Sequence, residues 1–139
     1  MRLYELRREE KLRQARDWFA KNFRATTVEE VMQAIPMGSA EDAYLRMVVS
    51  YWEMAASFVT AGVLNQELFF ESNGEMLAVW ERVRHVVPGF RAMTKNPDAW
   101  KNLEKVGNAY IEHVKSRAPG AYEGFQAMLN SIPAQAQKA

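Results

Sequence analysis

Residues Ser39–Leu64, SAEDAYLRMVVSYWEMAASFVTAGVL, are the longest apolar stretch of the chain and predict its central helix. Ser39 precedes the apolar residues as a candidate N-cap, and Asp42 stands three residues later, as in a capping box. Gly62 follows the last turn, where glycine readily adopts the left-handed conformation that ends many helices. These signals predict one long helix with a defined start and a defined end.

A line of polar side chains runs along this predicted helix at steps of three or four residues, which places them on one face. They are Arg46, Ser50, Glu53, Ser57 and Thr60. The rest of the surface is apolar, so we expect the helix to be buried on every side but this one. Two interpretations stay open: an exposed stripe or internal salt bridge of a core helix, or a groove that offers polar groups to a ligand or partner.

Under the second interpretation the polar line contacts a ligand or partner. The candidate contact residues are Arg46, Ser50, Glu53, Ser57 and Trp52. Arg46 would bind an anion, and Glu53 would accept hydrogen bonds or protons. Tyr51 and Trp52 flank the line, and small-molecule pockets combine aromatic walls with a few polar groups. No reaction class follows from this pattern, so we assign no catalytic residue.

Length and composition indicate one ordinary globular domain. The chain has 139 residues, 48% hydrophobic and 25% charged, which predicts a single helical domain over residues 1–132 and a disordered tail over 133–139. The net charge of +1 favours neither nucleic acid nor an anionic membrane as a partner. The absence of cysteine excludes disulfides and thiolate metal sites.

The apolar stretch does not predict a membrane span. Arg46 and Glu53 interrupt it, whereas a span needs about 20 predominantly apolar residues. The segment Met1–Arg24 is basic and lacks the apolar region of a signal peptide. We therefore expect a cytoplasmic protein.

Helical periodicity and caps extend through the rest of the chain. Residues 2–24 predict a first helix, and Thr27 with Glu30 forms a capping box that starts a short second one. Residues 65–87 are helical again, but Ser72–Gly74 interrupts them, so a break and a continuous helix both remain open.

The last third of the chain predicts two more helices. Pro88–Gly89 ends the preceding helix, and Asn96–Pro97 begins one that reaches Arg117. Gly107 inside it predicts close approach of another helix, and Pro119 opens a final helix. No segment alternates with period two, so we predict an all-α fold, a bundle of four main helices plus short accessory helices.

Acidic residues suggest metal binding first, but the spacing does not support it. Di-iron bundles need Glu-x-x-His motifs, whereas Glu81 and His85 are four residues apart and have no second pair. We expect neither a metal nor a cofactor. Glu67, Glu71 and Glu75 would repel one another along a continuous helix, and the basic first helix is the expected compensation.

Four short segments resemble a known pattern: Tyr51-Trp52-Glu53, Gly62-Val63-Leu64, Glu67-Leu68-Phe69-Phe70 and Val79-Trp80. The pattern is similar to that of a large group of uncharacterised bacterial proteins, classed as a domain of unknown function, and the match covers about residues 44–92. The resemblance implies a helical fold, implies no activity, and makes Glu53 worth testing. Some relatives carry an N-terminal membrane span, which the charged first helix of this chain does not match.

We expect a non-enzymatic helical module that acts through protein–protein contact, either with another protein or with a second copy of itself as a homodimer. The chain is 12% aromatic and has eight methionines, residues that suit adaptable interfaces, although core packing could use most of them. The alternative is a small-ligand-binding protein or an enzyme that uses Arg46 and Glu53.

Overall fold

The computed structural model describes residues 2–134 and confirms the all-α class, with nine helices and no strand in that range. The helices in chain order are α1 Arg2–Arg7, α2 Glu10–Asn22, α3 Val28–Ala34, α4 Ala40–Thr60, α5 Gln66–Ser72, α6 Gly74–Val83, α7 Val87–Thr94, α8 Lys101–Arg117 and α9 Ala121–Asn130. The bundle of four main helices stays a prediction. The disordered tail also stays a prediction, and its residues 135–139 lie outside the described residues.

α4 is the central helix, packed against α2 and α8. The Ser39 hydroxyl accepts a hydrogen bond from the Asp42 backbone N–H at 3.1 Å, and the Asp42 carboxylate accepts one from the Gly38 N–H at 3.1 Å. At the other end Gly62 has φ 80°, and the next two backbone N–H groups donate to the carbonyl of Phe58. Both predicted ends of this helix are confirmed.

The first predicted helix is wrong as a single element, because the chain breaks after Arg7 and restarts at Glu10. The Glu9 carboxylate accepts a hydrogen bond from the Leu12 backbone N–H at 2.9 Å and so caps α2. This bond lowers the pKa of Glu9 below its ordinary value. α1 lies against the body of the protein, where the Tyr51 hydroxyl donates to the Leu3 carbonyl at 2.9 Å.

The interruption in the helix predicted over residues 65–87 is a break, and Asn73 separates α5 from α6. The Asn73 amide donates to the Phe69 carbonyl at 2.9 Å, and its oxygen accepts from Arg7 at 3.2 Å. Glu75, beyond the break, forms two hydrogen bonds of 2.6 and 2.8 Å with the Arg16 guanidinium. The expected compensation of this acidic segment by the basic N-terminal segment is therefore confirmed at Arg16.

Two predicted helix boundaries in the last third of the chain are wrong. Pro88 and Gly89 lie inside α7 rather than ending a helix, because proline is tolerated in a first helical turn. A Cβ on Gly89 would lie 2.8 Å from Val28 Cγ1, so this position needs glycine for packing against α3. The Asn96 side chain accepts from the Asp98 N–H in a local turn, and the next helix starts at Lys101.

Gly107 lies where α8 crosses α6. A Cβ there would lie 2.5 Å from Cγ of Trp80, a distance that real Cβ atoms do not reach. The indole N–H of Trp80 donates to the side chain of Asn108, the residue that follows Gly107 in α8, at 3.2 Å. The predicted close helix approach at Gly107 is confirmed.

A helix that spans a membrane needs about 20 predominantly apolar residues, so the length and polarity of each helix can be compared with that requirement. The longest helix, α4, has 21 residues and carries Arg46 and Glu53 in its middle. Within residues 2–134, every helix is too short or too polar to cross a bilayer.

Candidate functional site

The polar line on α4 does not form one cluster. The Arg46 side chain is 69% exposed and pairs with Asp42 one turn earlier at 3.3 Å. Ser50 is exposed, and the Ser57 hydroxyl donates to the Met54 carbonyl at 2.6 Å. Arg46 and Ser57 therefore have local partners on their own helix.

Glu53 instead reaches the N-terminus of α8. Its two carboxylate oxygens accept from the backbone N–H groups of Asn102 at 3.0 Å and Leu103 at 2.8 Å. The Asn102 amide adds a third hydrogen bond to Glu53 at 3.1 Å, and the Thr60 hydroxyl lies 2.7 Å from the Asn102 oxygen. The residue before α8, Trp100, provides no side-chain cap. Glu53 thus satisfies helix N–H groups that would otherwise lack partners.

Trp52, the aromatic member of the predicted site, is fully buried at 0% exposure. Its indole N–H is buried without a hydrogen-bond partner among residues 2–134. The Tyr51 ring packs edge-on against it, with centroids 4.8 Å apart. Trp52 is therefore a core residue, away from any ligand that would bind at the surface.

A polar pocket of about 590 Å³ lies elsewhere, where the C-terminal end of α2 meets α6, α8 and α9. Four cationic and two acidic side chains line it, which gives the lining a net charge of +2 with His85 neutral. The charged residues are Arg24, Arg82, Arg84, Lys115, Glu81 and Glu112. We take this pocket as the candidate functional site.

Glu81 lies in one wall of the pocket. Among the side chains that the structure describes it is the one charged residue that is buried, with 8% of its surface exposed. Its carboxylate accepts hydrogen bonds from the Tyr122 hydroxyl, from Arg84 at 3.1 Å and from Gln126 at 3.4 Å. Burial, followed by the hydrogen bond to Glu81 and its charge, raises the pKa of Tyr122 to about 12. The phenol therefore stays protonated at neutral pH and fixes α9 to α6.

Arg24 and Arg82 are the two arginines of the pocket lining whose hydrogen bonds go to backbone carbonyls. Arg24 donates to the carbonyls of Phe23, Ala20 and Ile132 at 2.7, 3.1 and 3.3 Å. Arg82 donates to the Leu129 carbonyl at 2.7 Å. Neither forms an ion pair with a carboxylate within residues 2–134.

The partial burial of Arg24 and Arg82 affects the pKa of each guanidinium. Burial lowers the pKa of Arg24 below its ordinary value. Burial also lowers the pKa of Arg82, the positive charge of Arg24 lowers it further, and the charge of Glu81 opposes both effects. The charge of Arg24 therefore disfavours that of Arg82, and both guanidiniums lie near the C-terminal end of α9.

Lys115 and His85 also line the pocket. The Lys115 ammonium lies 5.2 Å from the centroid of the Tyr122 ring, within cation–π distance. His85 is exposed. Glu81 and His85, the pair first considered for a metal, both line the pocket, but within residues 2–134 no group of three or more potential metal ligands is present.

A second, more apolar groove of about 420 Å³ lies between α1 and α5. Leu3, Leu64 and Phe69 line it, and Leu68 at its edge is 64% exposed. Val63 beside it is 71% exposed. This groove therefore combines an apolar lining with an exposed leucine.

Residues 1–131 match the model of a protein family described as "Domain of unknown function (DUF4760)". The chain belongs to the DUF4760 family. The match confirms the resemblance inferred from residues 44–92 and extends it to nearly the whole chain. Searches of curated proteins and of solved structures each found no match.

Sequence reasoning missed the pocket of this DUF4760 chain because its lining comes from four separate segments. Arg24 and Arg82 read as solvated surface charges in sequence. The available signal was regional: residues 81–139 carry nine Lys or Arg against five Asp or Glu. This excess of positive charge does not show which cationic residues lie close together in the fold, nor that Arg24 lies close to them.

Proposed function

We propose that this protein is a binding module that holds a small anionic molecule in the pocket between α2, α6, α8 and α9. The observation that carries the proposal is that Arg24 and Arg82 lie near each other as partly buried guanidiniums, and that neither forms an ion pair with a carboxylate within residues 2–134. A buried charge is costly unless it is paired. An anion would supply the missing partner, and a pocket of about 590 Å³ is within the usual size of small-molecule sites.

The proposal involves binding without chemistry. The Glu81 carboxylate already accepts from three donors, which leaves it poorly placed to act as a base. The raised pKa of Tyr122 keeps its phenol protonated at neutral pH. We therefore assign no catalytic residue, and the proposed ligand contacts shift from Arg46 and Glu53 to Arg24 and Arg82.

Calorimetric titration with inorganic phosphate, at fixed pH and matched ionic strength, tests the proposal. We expect Arg82→Gln to weaken binding by roughly tenfold to 100-fold, because a charge-assisted hydrogen bond contributes about 1.5–3 kcal/mol. Lys115→Gln, which removes a cation at an exposed position, should weaken it by a smaller factor.

Arg46→Gln is the matched control, since Arg46 is exposed, cationic and outside the pocket lining. It should bind phosphate as tightly as the wild type. If Arg46→Gln loses binding while Arg82→Gln retains it, the ligand lies on the α4 line and the pocket proposal is overturned. Circular dichroism of each variant separates lost binding from lost folding.

Contact with another protein is the second candidate function, favoured by the groove between α1 and α5 with Leu68 and Val63 at 64% and 71% exposure. The occupant that we propose to test is a second copy of the chain. Sedimentation velocity over a concentration series should show self-association that Leu68→Asp abolishes. Met37→Asp is the control, since Met37 is 89% exposed and outside the groove lining. A monomer at every concentration would count against this function.

A further inference from the structure

The pocket is much larger than a single inorganic anion needs. A water molecule occupies about 30 Å³ of liquid, so a pocket of about 590 Å³ has room for roughly 20 of them. A bare phosphate would fill a small part of that space. The remaining space has room for a body attached to the anionic group.

The two arginines of the lining that have no ion pair within residues 2–134 lie at one end of the pocket. Arg24 and Arg82 both donate to carbonyls near the C-terminal end of α9, at Ile132 and Leu129. Tyr122, with Lys115 over its ring, lies in the first turn of that helix. Seven helical residues separate the two ends, which is about 10 Å at 1.5 Å per residue.

The arginine end keeps a positive excess after its helix termini are counted. The C-termini of α2 and α9 each carry roughly −0.5 of a charge, against the two guanidiniums. About one positive charge therefore remains for a ligand to neutralise. The other charged residues of the lining balance in number: Arg84 is paired with Glu81 at 3.1 Å, and Lys115 and Glu112 have opposite charges.

The donors at the arginine end suit a phosphate group. A guanidinium has five N–H donors, and Arg82 uses one of them within residues 2–134, for Leu129. Several donors thus remain beside the positive charge of Arg24. A phosphate monoester presents three strong acceptor oxygens and about −1.5 to −2 charge at pH 7, whereas a carboxylate presents two oxygens and one charge.

The pocket lining also offers both a donor and an acceptor for hydroxyl groups, at Asn108 and Gln126. The Asn108 oxygen accepts from Trp80 at 3.2 Å, which leaves its amide N–H₂ as a donor. Gln126 donates to Glu81 at 3.4 Å, which leaves its oxygen as an acceptor. A hydroxyl group can use both, since it donates and accepts.

We infer that the ligand is a phosphomonoester whose phosphate lies against Arg24 and Arg82 and whose hydroxyl-bearing body runs along α9 towards Tyr122. This inference rests on the proposed anion-binding function and names the ligand class of the same pocket. It assigns Gln126 to the body of the ligand and Arg82 to its phosphate.

The test is calorimetric titration with four probes at matched ionic strength: inorganic phosphate, glucose 6-phosphate, gluconate and glucose. Glucose 6-phosphate should bind at least tenfold more tightly than phosphate or gluconate, and glucose should not bind detectably. Arg82→Gln should weaken both phosphate and glucose 6-phosphate at least tenfold. Gln126→Ala should weaken glucose 6-phosphate severalfold and leave phosphate unchanged.

The outcomes separate the ligand class from the anion-binding function. Gluconate binding as tightly as glucose 6-phosphate overturns the phosphate assignment, and inorganic phosphate binding as tightly overturns the assignment of the body. Either result leaves the anion-binding function intact. Failure of all three anions to bind overturns both proposals.

Discussion

Removing the Glu53 carboxylate should destabilise the protein by withdrawing the cap of α8. Glu53→Ala leaves the backbone N–H groups of Asn102 and Leu103 without their acceptors. Leu103 is 0% exposed, so water cannot easily replace the lost acceptor, and an unsatisfied buried donor costs about 1–3 kcal/mol. The Asn102 N–H lies in a half-buried residue and adds less. We expect a loss of about 3 kcal/mol in the free energy of unfolding, above the roughly 0.5–2 kcal/mol of a single cap substitution, because three hydrogen bonds to Glu53 are lost.

Urea denaturation followed by tryptophan fluorescence measures this loss, and thermal unfolding should show a fall of about 10 °C for a chain of this length. Glu53→Gln keeps one acceptor oxygen and should lose about half as much. Glu41→Ala is the matched control, because Glu41 lies in the first turn of α4 and acts there mainly on the helix dipole, which is worth about 0.5 kcal/mol. Equal midpoints for the alanine variants of Glu53 and Glu41 would refute the capping role.

Three further predictions concern the packing of Gly107 against Trp80 and the hydrogen bond from Tyr122 to Glu81. Gly107→Ala should lower the free energy of unfolding by about 2 kcal/mol, because its Cβ would meet Trp80 at 2.5 Å. Gly124→Ala, in a helix with open space around it, should raise it by about 0.5–1 kcal/mol, and a loss in both variants would contradict the packing argument. Tyr122→Phe removes a donor to buried Glu81 and should cost about 1–3 kcal/mol in urea denaturation, whereas an unchanged midpoint would show that Arg84 and Gln126 suffice. The Tyr122 phenol should titrate near pH 12, measured by the difference in ultraviolet absorbance from Tyr122→Phe. Because the folded pKa lies above the ordinary value of 10.0, this group's stabilisation is fully present below about pH 10 and is lost as the pH rises through about 12. Titration at the ordinary tyrosine value would contradict that environment.

Helix starts made by neighbouring residues could be predicted from the sequence. Ser39 caps α4 through Asp42, and the Thr27 hydroxyl accepts from the Glu30 N–H at 3.1 Å to start α3. In each case donor and acceptor are three residues apart, so the sequence contains the whole interaction. The predicted start of α8 was wrong because the acceptor that caps this helix is distant in sequence. Glu53 lies 49 residues before Asn102.

Glu9 shows a different limit. Glutamate is a good helix former, and a glutamate four residues before an arginine, as Glu9 is before Arg13, stabilises a continuous helix. The structure uses the same carboxylate to accept from Leu12 and restart the helix. Local propensity allows both uses, and the packing of α1 against Tyr51 accompanies the break.

The candidate site was less predictable than the fold, because it depends on charges that meet only after folding. Arg24 and Arg82 are 58 positions apart in the sequence. Their meeting at Leu129 and Ile132 requires α2, α6 and α9 to be in place. The α4 line was regular in sequence, but helical spacing alone does not distinguish a ligand contact from a cap such as Glu53.

The Glu53 cap also has a consequence for the order in which the chain folds. A peptide of residues 96–117 lacks Glu53, so its helix should begin at the local signal Asn96–Pro97 rather than at Lys101. Only when α4 has docked can the carboxylate hold the N–H groups of Asn102 and Leu103. The first turn of α8 should therefore open together with the α4–α8 core, and its amide hydrogens should exchange as slowly as those of the protein's centre.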